Sequence, residues 1–369
     1  MIYFDNAATT KVAKEVLDIY NRVVNECWFN ASSQYKYGVK ANNLLSKAQA
    51  LVLNTLNAKE SKVIFTSGAT ESNNMAIYGI CNKYEKGKII TTKIEHPSVL
   101  NCFIDLESKG FEVVYLDILN DGTVDLKQLE RELDNNTILV SIMWVNNIIG
   151  SINNVNEIIK IVKKYKKVKL HIDAVQGMGK LPVNFNIDEV DLLTISSHKI
   201  HGLKGTGMLL YHNNLSIETF LHGSNQQVAK SGTIDLPGCV ASSKALELAV
   251  KKVPVKIEHV KKIKDYIVNG LKDYDKVVIN SDENTSPYIL NLSYKGVYSE
   301  TIMHYLEEND ICVSISSACN SKQRKPERTV FELTKDNDLA LTSIRLSFSE
   351  ENTIAEAQKF IDVIKAYRK

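Results

Sequence analysis

Between about residue 40 and residue 215, short apolar and β-branched runs alternate with segments of helical periodicity, and this alternation limits what the chain can fold into. The runs are Val63–Thr66, Lys88–Thr92, Phe111–Tyr115, Ile138–Met143, Val168–Ile172, Leu192–Ile195 and Gly207–Tyr211. Several are apolar almost without interruption, the pattern of strands covered on both faces. Helical patterns such as Asp125–Leu133 and Val155–Lys167 lie between them. Strand and helix in alternation predict an α/β fold, a mostly parallel seven-stranded sheet with helices on both sides. After about residue 250 the pattern changes. A Lys-rich amphipathic stretch at 251–274 is followed by strand-like Tyr288–Leu292, a helix at Ser299–Glu308, strand-like Ile311–Ile315 and Ser343–Ser347, and a terminal helix. This order predicts a large α/β domain at 14–250 and a smaller α+β domain formed by 1–13 and 251–369. The lysines at 251, 252, 256, 261, 262 and 264 are expected to form a solvated face.

The 369 residues suffice for two such domains. A formal net charge of +2 provides no global basic field for nucleic acid. No apolar run approaches the ~20 residues of a membrane-spanning helix, and the start of the chain does not read as a signal peptide. The six cysteines, at 27, 81, 102, 239, 312 and 319, form no CxxC pair. They read as reduced thiols of a cytoplasmic protein rather than a disulfide framework.

Three segments each follow a different predicted strand. Thr66-Ser-Gly-Ala-Thr-Glu71 opens a helix, where backbone N–H groups and the helix dipole favour an anion. Taken alone it could be only a turn. Asp173-Ala-Val-Gln176 places a carboxylate at the C-terminal edge of a strand, the usual ligand edge of an α/β sheet, though a helix cap would look the same. Ser196-Ser-His-Lys199 brings a lysine to that edge. His198 and His201 are spaced i, i+3, but no third ligand accompanies them and no metal is expected. A phosphate cup, a carboxylate and an amine on one edge are what pyridoxal phosphate requires. Its phosphate needs N–H donors, its pyridine nitrogen an anion, and its aldehyde an amine.

On these residues the chain resembles the cysteine desulfurases, a family of the class V aminotransferase group with the fold-type I architecture of pyridoxal-phosphate enzymes. The resemblance runs through Tyr3-Phe-Asp-Asn-Ala-Ala-Thr-Thr10, Phe65–Ser72, Glu95-His96, Asn146-Asn147, His171–Gln176, His198-Lys199, Ser231-Gly-Thr233, Ser317-Ala-Cys319 and Ser343–Ser347. It implies that Lys199 is the Schiff-base lysine and that Asp173 pairs with the pyridinium nitrogen. It implies Gln176 as donor to the ring hydroxyl, His96 stacked on the ring, and Ala69, Thr70, Ser196 and His198 on the phosphate. Thr233 matches a phosphate ligand lent by a second subunit, so a homodimer is expected. Asn147 matches a residue near cofactor and substrate. Arg345 matches the arginine that holds the substrate carboxylate, a bidentate task that suits a guanidinium.

Cys319 lies in a stretch rich in small and basic residues, with Lys322, Arg324, Lys325 and Arg328 close by in sequence. Nearby positive charge favours the thiolate, which is the nucleophile. The resemblance makes Cys319 the sulfur acceptor; the other five cysteines lie in helical or strand-like runs and read as structural. The implied activity converts L-cysteine to L-alanine, with a persulfide on Cys319 for transfer to an acceptor protein, in iron–sulfur cluster supply or a related route. Selenocysteine lyases and other class V aminotransferases share the fold, as would a catalytically weakened, cofactor-bound scaffold; Cys319 is the feature that separates the desulfurase reading from a transaminase. Four positions depart from the family pattern. Ile148 stands where the family has Glu, Trp144 where a His is common, and Phe29-Asn-Ala-Ser-Ser-Gln-Tyr35 where Gly-Asn-Pro-Ser-Ser-x-His is usual. The 222–230 loop lacks Glu-Arg-Gly and carries Lys230 at an Arg position.

Overall fold

The computed structural model describes residues 1–281, 283–315 and 325–367. All seven predicted strands of the first half form one sheet: Ser61–Thr66, Lys88–Thr92, Glu112–Leu116, Thr137–Met143, Lys169–Asp173, Leu192–Ser196 and Gly207–His212. In space the order runs Ser61–Thr66, Gly207–His212, Leu192–Ser196, Lys169–Asp173, Thr137–Met143, Lys88–Thr92, Glu112–Leu116. Only Gly207–His212 runs antiparallel to its neighbours; the other pairings are parallel. Side chains alternate between two cores on opposite faces of the sheet. Val63, Phe65, Leu193, Ile195, Met208 and Leu210 enter one, and Ile64, Leu192, Leu209 and Tyr211 the other. This is the period-2 signature of strands covered on both sides.

The second half of the chain contains a three-stranded antiparallel sheet of Val277–Ile279, Ile289–Tyr294 and Ser343–Ser347, with Asn291 opposite Arg345. The N-terminus belongs to this neighbourhood. Ile2–Tyr3 pairs in parallel with Ile311–Cys312, and Asp5 bridges to Ser347. Residues 5–10 are thereby led toward the large sheet, where Thr10 donates its backbone N–H to the His198 carbonyl at 2.9 Å.

The helix expected from residue 251 begins instead at Leu236 and runs unbroken to Leu271. Asp235 caps it by accepting from the Gly238 N–H at 3.0 Å, a start signal that lies outside the Lys-rich periodic stretch. Its lysines are not all solvated. Lys264 is buried and donates to Thr285 Oγ1 at 2.6 Å, and Lys256 is half-buried against Glu350. The helix predicted over Val155–Lys167 stops at Val162, and 163–167 closes as turns. Four of those five residues are basic or polar and contribute nothing to the core. The strand predicted over Ile311–Ile315 is short, Ile311–Cys312, with Ser314 bridging Arg345 beyond it. Among the described residues, no helix is long and apolar enough to cross a membrane.

Candidate active site

One cavity of about 650 Å³ opens at the C-terminal edge of the parallel strands, where the loops that follow several of them converge. Its walls bring together Ala69, Thr70, His96, Asn147, Asp173, Gln176, His198, Lys199 and Arg345, residues drawn from nearly the whole length of the chain.

Ala69 and Thr70 open the 13-residue helix Ala69–Cys81, directly after the edge strand Ser61–Thr66. First-turn N–H groups have no carbonyl partner within their own helix and so face whatever lies before it. Gly68 has φ +149°, and a Cβ there would meet nothing within 4 Å, so that side of the cup is open. A Cβ on Gly207 would come within 2.7 Å of Gly68 Cα; glycine is what lets the neighbouring strand approach the cup so closely. Glu71 braces the turn from below, accepting from the Ser67 N–H and pairing with Lys230 Nζ at 2.8 Å. Lys230 thus ties the altered 222–230 loop to the cup through a charge it shares with the usual arginine.

Asp173 ends its strand, 5% exposed. One oxygen accepts from the Val175 N–H at 3.0 Å and the other from Asn73 Nδ2 at 2.9 Å. Asn73 also donates to Ser98 Oγ at 2.9 Å, and Ser98 Oγ lies 2.8 Å from His96 Nδ1. A continuous polar chain therefore joins Asp173 to His96. The His96 Nδ1 accepts from the Ser98 N–H at 3.1 Å, which leaves the ring proton on Nε2. Burial holds His96 below the ordinary imidazole range, with Asp173 opposing. Burial thereby favours the neutral ring.

Lys199 sits in the turn after Leu192–Ser196. Its amine donates to the Ala7 and Ala8 carbonyls at 2.7 and 2.6 Å. Burial, helped by Arg345 and opposed by Asp5 and Asp173, brings it down to about 8. At pH 7 about a tenth of an amine at that value is neutral and nucleophilic, against well under a thousandth of an ordinary lysine. His198 is pushed down to about 4, chiefly by burial, and its Nδ1 lies 3.2 Å from Thr9 Oγ1. His201 turns away with φ +61°, its Nδ1 2.9 Å from the Lys11 carbonyl. Arg345 donates to Asp5 Oδ1 at 2.9 Å and to the Asn147 carbonyl at 3.0 Å; its buried Nε has no partner among the described residues.

Two predicted ligands stand apart. Ser196 ends its strand with its hydroxyl buried and without a partner among the described residues. Thr233 lines a separate small cleft with Gly232 and Asp235 rather than the main cavity. Cys319 lies outside the described residues. The remaining cysteines follow expectation: Cys27, Cys81, Cys102 and Cys239 are buried and Cys312 is half-buried. The donor set fits pyridoxal phosphate: first-turn N–H groups for a phosphate, a buried carboxylate, a buried imidazole, and an amine whose only hydrogen-bond partners among the described residues are two carbonyls.

The departures are absorbed by packing. Trp144 is buried edge-on against Phe185, ring centres 5.0 Å apart, and a Cβ on Gly177 would overlap its indole at 2.3 Å. Ile148 joins Ile149, Val330 and Ala340 in a satellite apolar cluster. Phe29 is stacked between Trp28 and Tyr37, at 4.5 and 4.7 Å. Gln227 places its amide on the edge strand, donating to the Phe65 carbonyl and accepting from its N–H. Sequence reasoning assigned no role to Asp5, Asn73, Ser98 or Lys180; Asp5 lies within the matched run Tyr3–Thr10, and the other three lie in none. For Lys180 a faint signal existed, a lone lysine in the otherwise uncharged run 174–183.

Comparison with known proteins is consistent along the whole chain. The family model described as Aminotransferase class-V matches residues 2–360. A NifS/IcsS protein homolog of Lactobacillus delbrueckii subsp. bulgaricus is 39% identical over 98% of this chain and 95% of that protein. A cysteine desulfurase IscS of Dictyoglomus turgidum is 37% identical over 99% of this chain and 93% of its own length. Among solved structures, a NifS-like protein superposes with a TM-score of 0.91 at 34% identity, covering 99% of this chain and 98% of its own. A structure described as SspA in complex with cysteine superposes with a TM-score of 0.81 at 30% identity, covering 94% of this chain and 99% of its own.

Proposed function

The chain belongs to the class-V aminotransferase family, and from that premise we propose that it is a pyridoxal-phosphate-dependent cysteine desulfurase. It takes sulfur from L-cysteine and releases L-alanine. The observation that carries this reading is the convergence of Lys199, Asp173, His96, Arg345 and the Ala69–Thr70 helix start on one cavity. Relatives named as cysteine desulfurases, alike over nearly their full lengths, and a structural relative solved with cysteine support the substrate.

Bound pyridoxal phosphate supplies an electron sink for the carbanion at the substrate Cα. The residues do the rest. Ala69 and Thr70 N–H groups, with His198 and Ser196 nearby, hold the phosphate. The Asp173 carboxylate, oriented by Asn73 and the Val175 N–H, holds a positive charge on the ring nitrogen. Gln176 serves the ring hydroxyl, and neutral His96 covers the ring. Arg345 and Asn147 bind the amino acid, Arg345 using donors that Asp5 leaves free. Lys199 Nζ first anchors the cofactor, then removes the substrate Cα proton; its lowered basicity lets it accept and return a proton near neutral pH. The Cys319 thiolate attacks the substrate sulfur: an S–S bond forms, the C–S bond breaks, and its electron pair passes to the carbon that becomes the alanine methyl group. The persulfide then goes to an acceptor protein. Thr233 serves the second subunit's phosphate in a homodimer, the protein works in the cytoplasm, and residues 1–13 with 251–369 form the smaller domain that carries Cys319.

The decisive experiment is Cys319→Ala. The variant is expected to bind cysteine but release almost no alanine. Wild type given cysteine without reductant gains sulfur on the peptide that contains Cys319. Full cysteine-to-alanine turnover by the variant would remove Cys319 from the mechanism.

A further inference from the structure

Lys180 is 6% exposed and makes no ion pair among the described residues. Its amine donates to Gln176 Oε1 at 2.6 Å, and Gln176 Nε2 donates to the Ala7 carbonyl at 3.0 Å. That same carbonyl oxygen accepts from Lys199 Nζ at 2.7 Å. A line of hydrogen bonds therefore runs from a buried lysine, through an amide that lines the cavity, to the acceptor shared with Lys199. The turns that connect Asp173 to Lys180 are tightly wound. The Ala174 carbonyl accepts from the Gly177 and Met178 N–H groups, and Gly179 has φ +70° with Ala249 too close for a Cβ.

Burying a lysine without a carboxylate costs stability, and an apolar side chain of similar length would fill the space without that cost. Burial, with Lys199 and Arg345 nearby, brings Lys180 down to about 7. A lysine amine bonded to an amide can only be the donor when charged, so it must face the amide oxygen. The opposite end of Gln176, its NH₂, is then committed to Ala7 and the cavity. A donor on the oxygen also polarises the amide and strengthens its N–H groups.

We propose that Lys180 is a positioning residue that acts through Gln176, fixing its amide as a donor toward the cavity and strengthening that donation to an anionic oxygen of the bound cofactor. This rests on the reading that the cavity takes pyridoxal phosphate. The test is a double-mutant cycle on the full-length protein reconstituted with pyridoxal phosphate, using wild type, Lys180→Met, Gln176→Leu and the double variant. Two quantities are read: the cofactor's dissociation constant and the pH midpoint of its visible absorption. Lys180→Met is expected to weaken the cofactor about tenfold, the scale of one charge-assisted hydrogen bond. Its midpoint should rise, because without the lysine on its oxygen the Gln176 amide donates less strongly to the anionic oxygen, which makes the bound group easier to protonate. In the Gln176→Leu background, Lys180→Met should change neither quantity. Should Lys180→Met fail to fold, Lys180→Gln replaces it; it keeps a donor without charge and is expected to lose less affinity while still raising the midpoint. Additive losses with an unmoved midpoint would mean that Lys180 is merely structural, and would overturn the proposal while leaving the cofactor reading in place. Failure of wild type itself to take up pyridoxal phosphate would overturn both.

Discussion

Replacing Asn73 with Leu tests whether the polar chain beneath the cavity stabilises Asp173. Asn73 is fully buried, and Leu is close to it in shape, so the change removes hydrogen bonds with little change in volume. Two are lost: Nδ2 to Asp173 Oδ2 and Nδ2 to Ser98 Oγ, both at 2.9 Å. The bond to the carboxylate is worth about 2 kcal/mol and the neutral one about 1 kcal/mol. Against this, Asn73 Oδ1 is buried without a partner among the described residues, and its removal returns about 1 kcal/mol. The net cost is about 2 kcal/mol, roughly a thirtyfold change in an equilibrium constant. Urea denaturation of the cofactor-free protein, followed by fluorescence, should show a lower midpoint with an unchanged slope. Cofactor affinity should also fall, because Asp173 loses a donor that orients it. Asn73→Ser, which is too short to reach both partners, should behave like Leu; Asn73→Asp should be worse, because it sets a second carboxylate against Asp173. An Asn73→Leu protein with wild-type midpoint and wild-type affinity would refute the argument that this chain of hydrogen bonds supports the site.

Three further outcomes follow from the same geometry. Lys199 in the cofactor-free protein should react with an acylating reagent with a midpoint near pH 8, unreactive below it and reactive above; a midpoint near pH 10.4, that of an ordinary lysine, would contradict the depressed basicity. Asp173→Asn should retain the cofactor but lose about a hundredfold or more in turnover, since an amide cannot hold the ring nitrogen protonated; near-normal turnover would assign that role to another acid. If the sites are shared, inactive Lys199→Ala and inactive Thr233→Ala proteins should regain activity when mixed under conditions of subunit exchange, whereas a monomer by sedimentation would count against Thr233.

The large sheet and most of its functional edge were legible without coordinates. Strands covered on both faces are written in continuous apolar runs, and the period-2 alternation of Val63, Ile64 and Phe65 between two cores follows from backbone geometry alone. Because Asp173 ends one strand and Lys199 follows the next, both had to reach the same edge once the strands were parallel. What the local pattern could not contain is pairing between distant residues. Asp5 meets Arg345, Asn73 meets Asp173, and Gln227 completes the edge strand at Phe65, across separations of 100 to more than 300 residues. Asn73 and Gln227 have nothing in their own segments to mark them. Helix ends were misjudged for a related reason. The start at Leu236 is decided by the Asp235 cap and by burial of Leu236, Cys239 and Ala241, not by the Lys-rich stretch that marks its solvent side. Lys264 reads as a surface charge within its Lys-rich stretch, yet the tertiary structure buries it, as it buries Lys180, and gives each a neutral oxygen partner. A side chain's periodicity specifies which face it occupies, but only the packed fold decides whether that face meets water or another polar group, and therefore whether a charge is solvent-exposed or built into a site.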